Sequence, residues 1–245
     1  MVTIQNKIAI GCLVQWYEIE MVGEYLQSVK NALDVVENRA NVIVDLYFNC
    51  DQVLEEVDDE QITISDIYTK WLGLLHDIFG YDPDIDHLVG CKYNIKLREN
   101  MVSNSVYTIA DYRREFNAMY CNKVDVLMWG ETDSLIPKTT FEILDNLHTQ
   151  AKETTPKYVS FFGICKMWDD SWKILEHPDF TDKPFIDNDY ENWWSLKYTM
   201  SADEMYEINE KVEDLDVRVL NEFKFNGCGL VISSEIIKAG VNIPR

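Results

Sequence analysis

Two spacings of apolar residues alternate along the first half of the chain. The run Lys7-Ile-Ala-Ile-Gly-Cys-Leu-Val14 is nearly continuous and rich in β-branched residues, the pattern of a buried strand. After Gln15-Trp-Tyr-Glu18 the rhythm changes. Val22, Tyr25, Leu26, Val29, Ala32, Leu33 and Val36 recur at spacings of three and four, which predicts an amphipathic helix. Asn41-Val-Ile-Val-Asp-Leu-Tyr-Phe48 predicts a second buried strand. A strand–helix–strand order with one crossover predicts parallel pairing in an α/β sheet.

Residues 49–62 are polar and acidic and read as a loop. Apolar spacing predicts a helix over 65–79, stopped by Gly80, then a turn at 81–87 and a strand over 87–97. Residues 109–120 are helical by period and carry Arg113 and Arg114. A compact strand over 123–129 runs into Gly130-Glu-Thr-Asp-Ser-Leu-Ile-Pro137, and Thr139-Thr140 are placed to cap the next helix. A strand follows at 158–167. Residues 169–198 have no clean period, and the tryptophans there (Trp168, Trp172, Trp193 and Trp194) read as packing of an irregular stretch. A helix is expected over 202–212, then strand, glycine turn and strand over 223–234, and a short helix over 234–239. No repeat or linker divides the chain, so its 245 residues are expected to form one domain.

Charge sharpens this picture. Against 22 Lys and Arg stand 43 Asp and Glu, a formal balance of −21. With 47% hydrophobic residues the chain has material for a large core, which excludes a disordered protein. No apolar run approaches the ~20 residues of a membrane span. The first ten residues lack the basic-then-apolar order of a signal peptide. Six cysteines (Cys12, Cys50, Cys91, Cys121, Cys165 and Cys228) stand singly, without a CxxC pair, as expected for reduced core thiols in the cytoplasm. The negative balance disfavours broad attraction to nucleic acid. An anionic ligand would need a metal ion or a focused positive patch to enter this field.

The most informative segment is 124–137. A buried strand ends in Glu131 and Asp133, and in extended backbone residues two apart face the same way. The carboxyl end of a strand is also where open α/β sheets hold ligands. Two neighbouring carboxylates need a cation or a shared proton, and Mg²⁺ or Mn²⁺ suits such oxygens. The same ion would neutralise a departing diphosphate. Other acid-x-acid runs, Asp82-Pro-Asp-Ile-Asp86 and Asp187-Asn-Asp189, lack the strand-end setting. His177 is a candidate third ligand from a loop, whereas His76 and His148 read as ordinary helix residues. Arg113 and Arg114 carry the guanidinium that matches phosphate oxygens in pairs. No glycine-rich phosphate loop, Ser-His-Asp order or Cys-His pair is present.

Arg113-Arg114, then Val124-Asp-Val-Leu-Met-Trp-Gly-Glu-Thr-Asp-Ser-Leu-Ile-Pro137 and a helix, resembles the metal-binding region of glycosyltransferases with the GT-A fold, the family-2-like nucleotide-diphospho-sugar transferases. Ile8 to Glu18 is similar to that family's opening segment, and Phe225-Asn-Gly-Cys-Gly-Leu-Val-Ile-Ser-Ser234 to its Gly-x-Gly strand. The likeness covers roughly residues 5–150 and 223–240. It implies a Rossmann-like, mixed but mainly parallel sheet flanked by helices, with a nucleotide-sugar-binding half over 1–150 and an acceptor-side half over 151–245. It also implies a nucleotide-diphospho-sugar donor, with Tyr17, Glu18, Asn49 and Asp51 near base and ribose, Arg113 and Arg114 near the diphosphate, and Glu131 and Asp133 on Mn²⁺ or Mg²⁺. The acceptor, whether glycan, small molecule or modified nucleic acid, is left open.

The chain departs from the family in three places. The first acid is Glu131 rather than Asp, strand two lacks an Asp-Asp-Gly-Ser turn, and little sequence follows the Gly-x-Gly strand. The base of an inverting transfer is therefore sought at Glu213-Asp214 or at Asp169-Asp170, with Glu213, Asp214 and Asp170 as candidates. Two other readings remain: a sugar-phosphate nucleotidyltransferase, and a non-enzymatic acidic protein that binds a basic partner.

Overall fold

The structure, a computed structural model, describes residues 1–50, 63–81, 92–101, 107–161 and 229–244. Its elements in chain order are β1 (Ile8–Gln15), α1 (Val22–Asp34), β2 (Val42–Asn49), α2 (Ile64–Phe79), β3 (Ile95–Asn100), α3 (Ile109–Tyr120), β4 (Val126–Trp129), α4 (Thr140–Ala151), β5 (Val159–Phe161), β6 (Leu230–Ser233) and α5 (Ser234–Lys238). They build an α/β fold around one six-stranded sheet of order β3-β2-β1-β4-β6-β5. β1 pairs in parallel with β2 and β4, and β2 with β3, while β6 runs antiparallel to both β4 and β5. The sheet is mixed and mainly parallel, as the residue pattern and the family likeness imply.

Side-chain alternation sorts the strands onto two cores. Ile8, Ile10, Cys12 and Val14 of β1 join Val42, Val44, Leu46 and Phe48 of β2 beneath α1, α2 and α4. Ala9 and Leu13 of β1 and Leu127 and Trp129 of β4 face the other way, onto Tyr112, Phe116 and Tyr120 of α3. α1 begins at Val22 and buries Tyr25, Leu26, Val29, Ala32 and Leu33, the stripe its spacing marks. α2 is capped by Thr63, whose hydroxyl accepts from Asp66 N–H, and stops at Gly80, where φ is +69°.

Three boundaries differ from expectation. β3 starts at Ile95 rather than at residue 87, and includes the polar run Lys96, Arg98, Glu99 and Asn100. β3 lies at the sheet edge, so it tolerates polar side chains that a central strand would exclude. Thr139 stands at the N-cap of α4 without a side-chain capping bond; the Thr140 hydroxyl instead donates to Pro137 O at 2.7 Å. β4 is shorter than drawn, starting at Val126. The helix expected over 202–212, the irregular stretch 169–198 and most of the strand over 158–167 lie outside the described residues.

One charge sits inside the sheet. Asp45 of β2 is fully buried and accepts from Arg98 Nη2 at 2.8 Å, Tyr112 Oη at 3.0 Å and Tyr120 Oη at 2.6 Å. The Arg98 guanidinium lies over the rings of Tyr47 at 4.7 Å and Tyr112 at 5.4 Å. The ion pair therefore knits the edge strand β3 to β2 and to α3. Removing the cation would leave a carboxylate without a counter-charge in the interior. Arg98→Met is expected to lower unfolding free energy in urea by about 3 kcal/mol, and adding Asp45→Asn should recover part of that loss.

Candidate functional site

β1, β2, β3 and β4 all run the same way, so their carboxyl ends open onto one edge of the sheet. In parallel register Gln15 lies beside Asn49, and Asn49 beside Asn100. Their side-chain amides form a ladder across the three strand ends. Asn100 Nδ2 donates to Asn49 Oδ1 at 3.0 Å, and Asn49 Nδ2 donates to Gln15 Oε1 at 2.8 Å. Asn49 is fully buried in this ladder. Its place after strand two was read from the sequence, but its partners were not.

β1 leaves the sheet through a single 3-10 turn, Trp16–Glu18. There Glu18 folds back and accepts the Gln15 backbone N–H at 2.8 Å, and it also accepts from the Thr132 hydroxyl. Tyr17 is largely exposed, its ring edge-on to Trp16 at 5.5 Å.

β4 ends at Trp129, and the chain turns at once. Ser134 N–H donates to Glu131 O at 3.1 Å, so 131–134 is a β-turn and not the extended segment expected from the sequence. The turn nevertheless keeps both acids at the sheet edge: Asp133 is only 8% exposed and Glu131 is partly buried. Burial pushes the Glu18 carboxyl above its usual range. The charges of Asp133 and Glu131 push it further, while the Gln15 N–H and the Thr132 hydroxyl pull it back. Three carboxylates from two loops thus feel one another across this edge.

The floor is built from α1 and β1. The Tyr25 hydroxyl, fully buried, adjoins the Cys12 thiol without a well-aligned hydrogen bond. Burial pushes the Cys12 thiol well up, and Glu18 and Glu131 act in the same direction, so it is no nucleophile near neutral pH. Gly130 lies directly on Tyr25; a Cβ there would stand 2.0 Å from the hydroxyl oxygen. A side chain at 130 would lift the acid turn off its support.

α3 supplies the positive charge. Arg113 Nη2 donates to Glu131 Oε1 at 2.6 Å, and its guanidinium lies 4.7 Å from the Trp129 ring centroid. Arg114 points elsewhere. It pairs with Asp111 and donates from Nη1 to Pro244 O at 2.8 Å, anchoring the segment after α5. The two arginines read as equivalent in sequence do different work, because adjacent helix residues face about 100° apart.

Of the candidate residues, the structure brings together Glu18, Arg113, Glu131 and Asp133, and places Asn49 in the neighbouring ladder. Asp51, Asp170, His177, Glu213 and Asp214 lie outside the described residues. Among the described residues no group of three or more His, Cys, Asp or Glu is arranged to hold a metal ion, and no helix is long and apolar enough to cross a membrane. Cys12, Cys50 and Cys121 carry buried thiols.

No protein-family model matches the chain, and no curated protein matches it. Among solved structures it is similar to the crystal structure of S. aureus TarS 1–349, at a TM-score of 0.39 and 10% identity, over 83% of this chain and 54% of that one. The chain thus corresponds to about half the length of that structure, and the likeness is a remote one of chain path.

Two outcomes test the site's physics. A carboxyl held above its unfolded value of 4.5 contributes stability at low pH that is lost as pH rises through the unfolded and folded values. Glu18→Gln should therefore melt above the wild type at pH 7, with the gap closing toward pH 4, as read by thermal denaturation in chelator. Gly130→Ala should cost about 2 kcal/mol by overpacking, and Tyr25→Phe in the same chain should return part of it.

Proposed function

We propose that the chain is a glycosyltransferase of the GT-A type, moving a sugar from a nucleotide-diphosphate donor to an acceptor hydroxyl with Mg²⁺ or Mn²⁺. The observation that supports this reading most is the buried acid turn 131–134 at the carboxyl edge of the parallel strands, beside half-buried Glu18 and under the Arg113 guanidinium. Such an edge is where α/β sheets take nucleotides. A cluster of repelling carboxylates there has use for a cation.

The residues fit that cation. Asp133 and Glu131 offer hard oxygens, and Mg²⁺ is usually held by one or two carboxylates, with water and substrate phosphates completing its shell. A fuller protein cage is not required, which agrees with the absence of one among the described residues. When bound, the ion would offset the charge of the diphosphate as it leaves.

The chain's own groups do the rest of the binding. Exposed Tyr17, just past β1, offers a ring face for a base or sugar, and the Gln15–Asn49–Asn100 amides define the polar wall beside it. Arg113 is placed to meet donor phosphate oxygens. A residue that takes the acceptor's proton would come from Asp170, Glu213 or Asp214, all in the acceptor-side half.

Melting temperature with Mn²⁺ plus UDP, GDP, ADP or CDP tests the reading. One pair should raise it, since a ligand at a hundredfold its Kd stabilises the native state by about 2.7 kcal/mol. Asp133→Asn should fold normally and lose the Mn²⁺-dependent part of that rise. With a donor sugar attached, the product should be nucleoside diphosphate. Release of pyrophosphate from a nucleoside triphosphate would identify a nucleotidyltransferase instead. No response to any nucleotide, together with salt-sensitive binding to basic proteins, would favour the acidic interaction protein.

A further inference from the structure

Glu131 and Asp133 do not stand alike in the donor-free chain. Glu131 already has a cation: Arg113 Nη2 lies 2.6 Å from its Oε1. Both side chains are largely shielded from water, Arg113 at 13% and Glu131 at 20% exposure, so the pair is stronger than a surface contact. The guanidinium is also held from behind. Its plane sits over Trp129, whose Nε1 donates to Asn117 Oδ1 at 3.0 Å. Asn117 lies one helical turn beyond Arg113 and in turn donates from Nδ2 to Asn242 Oδ1 at 3.0 Å. Arg113 is thus mounted on a ring locked by its own helix, with its charge directed at the first acid of the turn.

We infer that Arg113 is a tethered counter-cation that occupies Glu131 and competes with a divalent ion for the acid turn, so that Asp133 is the carboxylate open to metal in the donor-free protein and Glu131 becomes available only when Arg113 releases it. The inference rests on the metal-dependent reading above. It gives the anionic donor a second task. Its phosphates draw Arg113 away from Glu131, which strengthens the hold on the ion, so donor and metal favour each other's binding. Arg113 is a positioning residue here, acting through Glu131.

Mn²⁺ affinity of the nucleotide-free protein, read by electron paramagnetic resonance, tests this without turnover. Arg113→Gln should bind Mn²⁺ about tenfold tighter, the size expected when one unit charge beside a divalent ion is removed at a largely solvated edge. Arg113→Gln/Glu131→Gln should lose that gain, and Arg113→Lys, which keeps the charge, should stay within about threefold of wild type. If Arg113→Gln does not fold, Arg113→Met, which keeps an apolar stem on Trp129, carries the same expectation. Equal or weaker Mn²⁺ binding in the neutral variants would overturn the inference and leave the transferase reading standing. No Mn²⁺ binding by any form, with or without nucleotide, would overturn the metal-dependent reading and the inference with it.

Discussion

β1 is paired on both edges and covered on both faces, and that double confinement sets the geometry of everything around it. A strand so placed can carry no charged side chain, and every backbone donor must find a partner. Its residues obey: Ile8 to Val14 are apolar or glycine throughout. At Gln15 the backbone N–H is met by the Glu18 carboxylate instead of another strand. One acid is thereby fixed at the sheet edge by the hydrogen-bond demand of the central strand. β4, in register beside β1, delivers the next two as it turns.

Positive charge is scarce in this chain, and its guanidinium groups are committed. Arg98 neutralises Asp45 inside the sheet, and Arg39 donates to Leu33 O and Asp34 O at the end of α1. Arg114 ties the residues after α5 to α3, and Arg113 faces the acid turn. Asp34 shows what convergence of cations does. Burial works to raise its carboxyl, yet hydrogen bonds from Lys30, Lys92 and Tyr93 hold it well below the usual range. Glu18, without a cation of its own among its perturbing neighbours, is displaced in the opposite direction.

Helices were legible where one stripe faced a core: α1 and α3 lie where the spacing of Val22 to Leu33 and of Ile109 to Tyr120 puts them. β1 and β2 were legible because strands buried on both faces are continuous apolar runs. β3 was not, because an edge strand of Lys96, Arg98, Glu99 and Asn100 lacks that signal. Around the site, the acids at 131 and 133 could be picked out by their position after β4. Their turn geometry could not, since a glycine followed by polar residues fits extended and turned backbone alike. The partners Asp45–Arg98 and Asn49–Asn100 are 53 and 51 positions apart. Only strand register brings them together, and register has no local mark in the sequence.

The amide ladder also makes neighbours of three loops that the chain itself keeps far apart. Because Asn49 shares its two polar atoms between Gln15 and Asn100, none of the three strand exits can shift alone without breaking a hydrogen bond in its neighbour. This rim is stiff and moves as a unit: a molecule touching Gln15 presses on β3 two strands away, and the segments leaving β2 and β3 are hinged to a common bar.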